Sequence, residues 1–460
     1  MITKKKILFF FLILFVLIFV LAWNVVSGGY DRQNKIILFF KEIIPPKIYK
    51  KARDVIFIIP DLKERNKFLT RQVDKFEQGL EGKLFNKDVV ISTNKKKKYE
   101  LKEFYLPFQR LDLRLGWHGE KNSRRAHHFE FFQDKVIVIS GEGQTIYFNK
   151  NNILKKKLNQ KNIPNNIIKI LNKNNFELIG IRDLFIEDNQ VYFTMLVRNS
   201  EKLTIKVYRS DLSFENLNFQ LFYEVNEYWQ GYNVYSGGRL SNFKNNKILL
   251  SIGYNAVPSA AQSLESNFGK IFAIDKDTAK AELISYGHRN PQGLIYIENE
   301  NIIINTEHGP KGGDEININF LDKYTLPNYG WDIASYGTNY DGTDESYNAE
   351  HEGPYEKSHE EFGFIEPFKY FVPSIGISQL VYMPNELNKD SEKYLFVSSL
   401  RAGSVYLIKI DDEFNKILDE DRLMFLDQRI RDIKYDEENK VFFLIFEVTP
   451  SIATLKELID

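Results

Sequence analysis

Three motifs between Tyr286 and Trp331 decide how this chain is read. They are YGHRNPQGLIY at residues 286–296, NTEHGPKGGDEIN at residues 305–317 and NYGW at residues 328–331. Each sets charged or amide side chains, glycine and proline against an apolar strand. Residues 287–293 put a cation, an amide and two glycines beside one strand. Glu307, His308, Gly309, Pro310 and the Asp314-Glu315 pair put carboxylates and a kinked backbone beside the next. Polar turn-formers that interrupt strands mark loops that carry function.

Outward from this stretch, the chain reads as short strands separated by turns. Lys135–Ile139, Gln190–Leu196, Lys247–Ile252, Lys270–Ile274, Ile302–Asn305, Tyr394–Val397, Val405–Ile410 and Lys440–Phe446 are rich in β-branched and aromatic residues. Acidic or Lys/Asn turns follow several of them, as in IDKDTAK (274–280) and IDDEFNK (410–416). No long amphipathic pattern interrupts the array after about residue 175, and an all-β array of this length points to a radial propeller. Residues 150–174, dominated by Lys, Asn and Ile, read as an exposed insertion or short helix.

The GHRNPQG, EHGPxGGDEIN and NYGW motifs resemble those of the glucose/sorbosone dehydrogenase family, from about Gly180 to Asp432. The resemblance implies a six-bladed β-propeller. It also implies pyrroloquinoline quinone (PQQ) held with Ca2+ on one face, and oxidation of a sugar or alcohol hydroxyl. By resemblance, the Gly309 and Pro310 carbonyls face calcium, a hard cation that takes oxygen ligands. The resemblance likewise implies that Arg289, Asn290 and His308 contact the cofactor. DQRIRDI (427–433) resembles the family's late paired arginines, which implies that Arg429 and Arg431 bind the cofactor carboxylates. Two residues apart on a strand, they share a face. SLRAG (399–403) matches a loop in which many members have lysine, and Arg401 keeps the charge with a different donor geometry.

One departure bears on activity. The family's general base is a histidine four residues before an arginine, and here YSGGRL (235–240) places Tyr235 at that position and Arg239 at the arginine. An ordinary tyrosine titrates near pH 10, and loss of a positioned base costs about 10²- to 10⁴-fold. His127-His128-Phe129 offers histidines, but more than 100 residues upstream and without the GGR that follows the family base. Two readings therefore stay open: a PQQ-dependent sugar dehydrogenase, with Tyr235 and Arg239 as its catalytic candidates, or a degenerate propeller that binds carbohydrate or serves as a scaffold. The loop after NYGW is acidic and aromatic. Trp331, Tyr336 and Tyr340 are candidates to stack on a sugar, and Asp341, Asp344 and Glu345 to bind hydroxyls or calcium.

The whole chain of 460 residues has no net charge, so no global field favours nucleic acid. It has no cysteine, which excludes disulfides, thiolate metal sites and a cysteine nucleophile. Lys4-Lys5-Lys6 precede an unbroken apolar run, Ile7–Trp23. As a helix the run would cover roughly 25 Å, near the lower limit for a membrane span. The basic flank places the N-terminus in the cytoplasm and the rest outside. A cleaved signal peptide, with Ser27-Gly28-Gly29 as the cleavage region, is the alternative. The expected organisation is an anchor at 1–29, a helical membrane-proximal stalk at 30–99 and a propeller at 100–460. The protein would sit on the inner membrane and face the periplasm, or be free there if cleaved. It would pass electrons to a membrane acceptor.

Overall fold

Strands buried on both faces read as unbroken apolar runs, and here such runs build six sheets. In this computed structural model the described residues are 85–108, 126–231, 235–257, 259–338, 355–384, 392–425, 428–447 and 450–458. They contain 25 strands. After β1 (Phe85–Ser92) and β2 (Lys98–Tyr105) comes blade 1, formed by β3 (His128–Phe132), β4 (Lys135–Ile139), β5 (Thr145–Asn149) and β6 (Lys161–Ile163). Blade 2 is β7 (Glu177–Glu187), β8 (Gln190–Asn199), β9 (Lys202–Asp211) and β10 (Gln220–Glu224). Blade 3 is β11 (Gly237–Phe243), β12 (Lys247–Ile252), β13 (Lys270–Asp275) and β14 (Ala281–Tyr286). Blade 4 is β15 (Pro291–Ile297), β16 (Ile302–Glu307), β17 (Asp314–Phe320) and β18 (Lys369–Phe371). Blade 5 is β19 (Ile377–Met383), β20 (Lys393–Ser399), β21 (Ser404–Ile410) and β22 (Ile417–Met424). Blade 6 combines β23 (Ile430–Asp436), β24 (Val441–Phe446) and β25 (Ser451–Leu458) with β2 and β1. Two short helices, α1 (Lys150–Leu154) and α2 (Ile167–Asn174), occupy the Lys/Asn/Ile insertion.

The innermost strands β3, β7, β11, β15, β19 and β23 touch in ring order, and β23 meets β3. The fold is thus a closed six-bladed β-propeller. The core lies between blades, and period-two alternation supplies it. On β4, Val136 and Val138 pack with Phe443 and Ile445 of blade 6, while Ile137 and Ile139 pack with Val191 and Phe193 of blade 2. On β12, Ile248 and Leu250 face blade 2, and Leu249 joins Leu294 and Ile303 of blade 4. The ring closes through β2 on β25, paired from Lys98↔Leu458 to Tyr105↔Ser451. Buried Glu103 accepts a hydrogen bond from the Ser451 hydroxyl there (2.6 Å).

One expected boundary moves. Residues 85–99 were read as the end of a helical stalk, yet Phe85–Ser92 is the outer strand of blade 6, paired with β2. The Lys-rich turn between β1 and β2 masks the alternation that would have revealed a hairpin. Among the described residues no helix is long and apolar enough to cross a membrane. The apolar run Ile7–Trp23 and the remainder of the expected stalk lie outside the described residues.

Candidate active site

The leading ends of β11, β15, β19 and β23 bring the motif residues together at one end of the channel. Buried Glu307 organises the GHRNPQG turn: it accepts the Arg289 N–H (2.6 Å) and lies 3.2 Å from His288 Nδ1. His288 also bonds the Ser285 hydroxyl (2.8 Å) and stacks on Tyr329 of NYGW. Arg289 Nη1 donates to the His308 carbonyl (2.9 Å). Asn290 Nδ2 lies 3.3 Å from His308 Nδ1, and its Oδ1 accepts from Gly237 N (3.2 Å) and Gln292 Nε2 (3.0 Å). Gln292 Oε1 accepts from Arg431 Nη1 (2.8 Å). Arg431 Nε and Arg429 Nε donate to the two oxygens of Glu447 (2.6 and 3.0 Å). One continuous hydrogen-bonded chain therefore links Arg289, His308, Asn290, Gln292, Arg431, Glu447 and Arg429.

The Gly309–Gly313 turn stands beside this chain. A Cβ on Gly309 would lie 2.1 Å from the Gly313 carbonyl oxygen, so the backbone approach there requires glycine. Asp314 anchors the turn by accepting Gly309 N (3.1 Å) and Ile377 N (3.0 Å). The Pro310 carbonyl accepts the Ser374 hydroxyl at 3.3 Å. Arg401 has an exposed side chain, and its backbone runs alongside Ile375 and Gly376, on the approach to Ile377.

Cations and carboxylates are interleaved at this end, and burial shapes their titration. Burial first, then Arg431 and Arg289, push His308 down to about 4 against the pull of Asp314. The imidazole is therefore neutral at pH 7, its Nε2 2.7 Å from the Ile377 carbonyl. Burial alone would raise Glu447, but Arg431 and Arg429 outweigh it and hold the carboxyl at about 2. This donor set fits a planar polyanion, since guanidinium forks bind carboxylates in pairs. The glycine-lined turn with its carbonyl oxygens is compatible with a hard cation.

A pH dependence follows. The unfolded chain protonates an ordinary histidine near 6.5, whereas folded His308 resists protonation to about 4. Its contribution is fully present above about 6.5 and is lost as pH falls through about 4. His308→Gln should flatten this part of the acid limb, read as urea midpoints between pH 4 and 7. An unchanged acid limb would contradict it.

Tyr235, half-buried, sits against the same chain. The Arg289 guanidinium lies 4.6 Å from its ring centroid, 5.0 Å from that of Trp331 and 5.8 Å from that of Tyr254. Trp331 is buried in this cage and is not a free platform for a sugar. Tyr336 stacks on Tyr370 at 3.7 Å. Tyr340, Asp341, Asp344 and Glu345 lie outside the described residues.

Arg239 belongs to a different layer. It is buried in the channel, with Nη1 3.0 Å from Asp183 and 2.9 Å from His128 Nδ1, and Nη2 3.1 Å from Asp432. These residues come from β11, β7, β3 and β23, so His128 meets Arg239 across the ring despite their separation in sequence. Burial holds His128 down at about 4 and raises Asp183 to about 6. Arg239 thus reads as a packing keystone rather than a group exposed to substrate. Sequence reasoning missed Glu447, Tyr254 and Arg182. Glu447 stands opposite Arg429 at the open end of the β23–β24 hairpin, where its N–H donates to the Arg429 carbonyl (2.9 Å).

A model of the glucose / sorbosone dehydrogenase family matches residues 126–451, and the chain belongs to this family. It is 28% identical over 290 residues to the uncharacterized protein slr1608 of Synechocystis sp., covering 58% of this chain and 66% of that protein. It is 29% identical over 225 residues to the aldose sugar dehydrogenase YliI of Escherichia coli, covering 46% of this chain and 57% of that one. The matched regions thus fall short of the full length of these curated relatives. A crystal structure of a glucose dehydrogenase superposes with a TM-score of 0.58 at 21% identity, over 74% of this chain and 98% of that one, a likeness of fold.

Proposed function

We propose that the protein is a PQQ-dependent dehydrogenase acting on a sugar or related alcohol. The carrying observation is the continuous chain from Arg289 to Arg429, which gathers guanidinium and amide donors at one end of the channel. Arg289, Asn290, Arg401, Arg429 and Arg431 would hold the cofactor carboxylates, with neutral His308 beside them. The Gly309 and Pro310 carbonyls would hold Ca2+. When bound, the quinone would accept hydride from the substrate carbon while calcium polarises its carbonyl. Tyr235 would take the hydroxyl proton as a phenolate, with its ring against the Arg289 guanidinium. The apolar run Ile7–Trp23 would tether the propeller to the inner membrane on its periplasmic side, near a membrane electron acceptor.

Tyr235 at the base position favours a second reading, a propeller that keeps the pocket without turnover and serves as a carbohydrate-binding or scaffolding module. One titration separates the two. The purified full chain is titrated with PQQ and Ca2+ by calorimetry, with aldose-dependent dye reduction followed in the same tube. Calcium-dependent binding with dye reduction is expected. Binding without reduction would mean a pocket that keeps the cofactor without turnover, and absence of binding would overturn the dehydrogenase reading and favour the scaffolding one.

A further inference from the structure

The channel has a second end, where the innermost strands finish. There a cavity of about 950 Å³ lies among the trailing halves of β11, β15, β19 and β23, with Glu130 of β3 and Phe185 of β7. Small-molecule sites span about 300–1,000 Å³. Glu130, Phe185, Ser241 and Lys434 line its inner part. Each follows a member of the His128, Asp183, Arg239 and Asp432 layer by two residues on the same strand. At about 3.3 Å per residue, these groups stand roughly 7 Å beyond that layer. The buried Arg239 layer therefore lies between this cavity and the candidate active site.

Gln379 gives the cavity a defined chemistry. It is 5% exposed and forms part of the wall. Its Oε1 accepts the N–H groups of Leu294 (3.1 Å) and Leu380 (3.0 Å). Both contacts require an oxygen, so the orientation of the amide is fixed. The Nε2 donor is left without a partner among the described residues, and a buried amide rarely leaves a donor unused. Asn242 repeats the pattern on the neighbouring wall. Its Oδ1 accepts the Ser241 hydroxyl (3.2 Å), and its Nδ2 has no partner among the described residues. The rim supplies acceptors: Glu298 and Glu437 are exposed there and form no ion pair among the described residues.

This mixture selects among ligands. An ammonium group only donates, so it cannot accept from Gln379 or Asn242. An anion accepts, but it meets Glu298, Glu300, Asp412 and Glu437 against Lys393. A neutral hydroxyl group both donates and accepts. Half-buried Tyr382 and Tyr435 add ring surface for an apolar carbon face.

We propose that this end of the channel is a second binding site, for a neutral polyhydroxylated ligand, a saccharide. It is independent of the dehydrogenase reading, which concerns the other end.

The test is hydrogen exchange and calorimetry on the purified full chain. Maltotriose and cellotriose are the neutral probes, spermidine the cationic one and glucose 6-phosphate the anionic one. A neutral trisaccharide should slow exchange in residues 294–300 and 379–384, whether or not PQQ and Ca2+ are present. Gln379→Glu keeps the oxygen that accepts both backbone N–H groups and removes the donor. It should weaken trisaccharide binding roughly tenfold. If Gln379→Glu does not fold, Asn242→Asp at the half-buried position carries the same expectation. Exchange unchanged in 294–300 and 379–384 with both trisaccharides would overturn the proposal. So would slowing confined to 305–313, slowing of 294–300 and 379–384 by spermidine or glucose 6-phosphate alone, or affinity that survives these substitutions.

Discussion

Tyr235→His should raise aldose oxidation by the PQQ- and calcium-loaded chain by roughly 10²- to 10⁴-fold, the usual worth of a positioned general base. The gain follows from where Tyr235 stands. Its ring lies 4.6 Å from the Arg289 guanidinium, in the turn whose Gly237 N–H bonds Asn290. An imidazole there would be held neutral by the same cation, and neutral imidazole is the basic form at physiological pH. A phenol must first lose its proton, near pH 10 when unperturbed. The rising limb of the variant's pH–rate profile, which reports the base, should move from the tyrosine range down toward neutrality. Steady-state dye reduction measures both effects. No gain over the wild-type chain would mean that something other than the base limits turnover.

The largest effect on stability should come from Arg239→Met. Its guanidinium is the cation between Asp183 and Asp432, both buried, and also bonds His128. Removing it leaves two carboxylates facing each other in the channel. Breaking a buried pair this way costs about 3–5 kcal/mol, and four blades contribute to this layer, so the loss falls on ring closure. Urea denaturation would read it as a lowered midpoint with little change in slope. Asp183 already titrates at about 6 because of burial. Without the arginine it should rise further, and the variant should be relatively more stable in mild acid than at pH 8. A cost under about 1 kcal/mol would show that the carboxylates find other partners.

Much of the architecture was legible because propeller strands are buried on both faces. Lys135–Ile139 and Lys247–Ile252 appear with the bounds their composition indicates. Phe85–Ser92 was not legible, since an outer strand needs only one apolar face and this one carries lysine and asparagine. At the site, the family resemblance put Arg289, Asn290 and His308 at one ligand, and they do meet, in the loops that border the neighbouring strands β15 and β16. The pairing of Arg239 with His128 was hidden because it crosses the channel between blades that are not adjacent. Glu447 was missed because a lone glutamate after a strand resembles any exposed turn. The shared face of Arg429 and Arg431 was anticipated, and the carboxylate that it binds was not.

The pairing of β2 with β25 has a consequence for biogenesis. The strand at 98–105 finds its neighbour only when residues 451–458 have been synthesised. Until then blade 6 is unfinished and β2 carries an open hydrogen-bonding edge, a template for intermolecular pairing. That edge stays open until residues 451–458 emerge, which is most of the propeller's synthesis. A truncation that removes only residues 451–458 would then be as damaging as one that removes a whole blade.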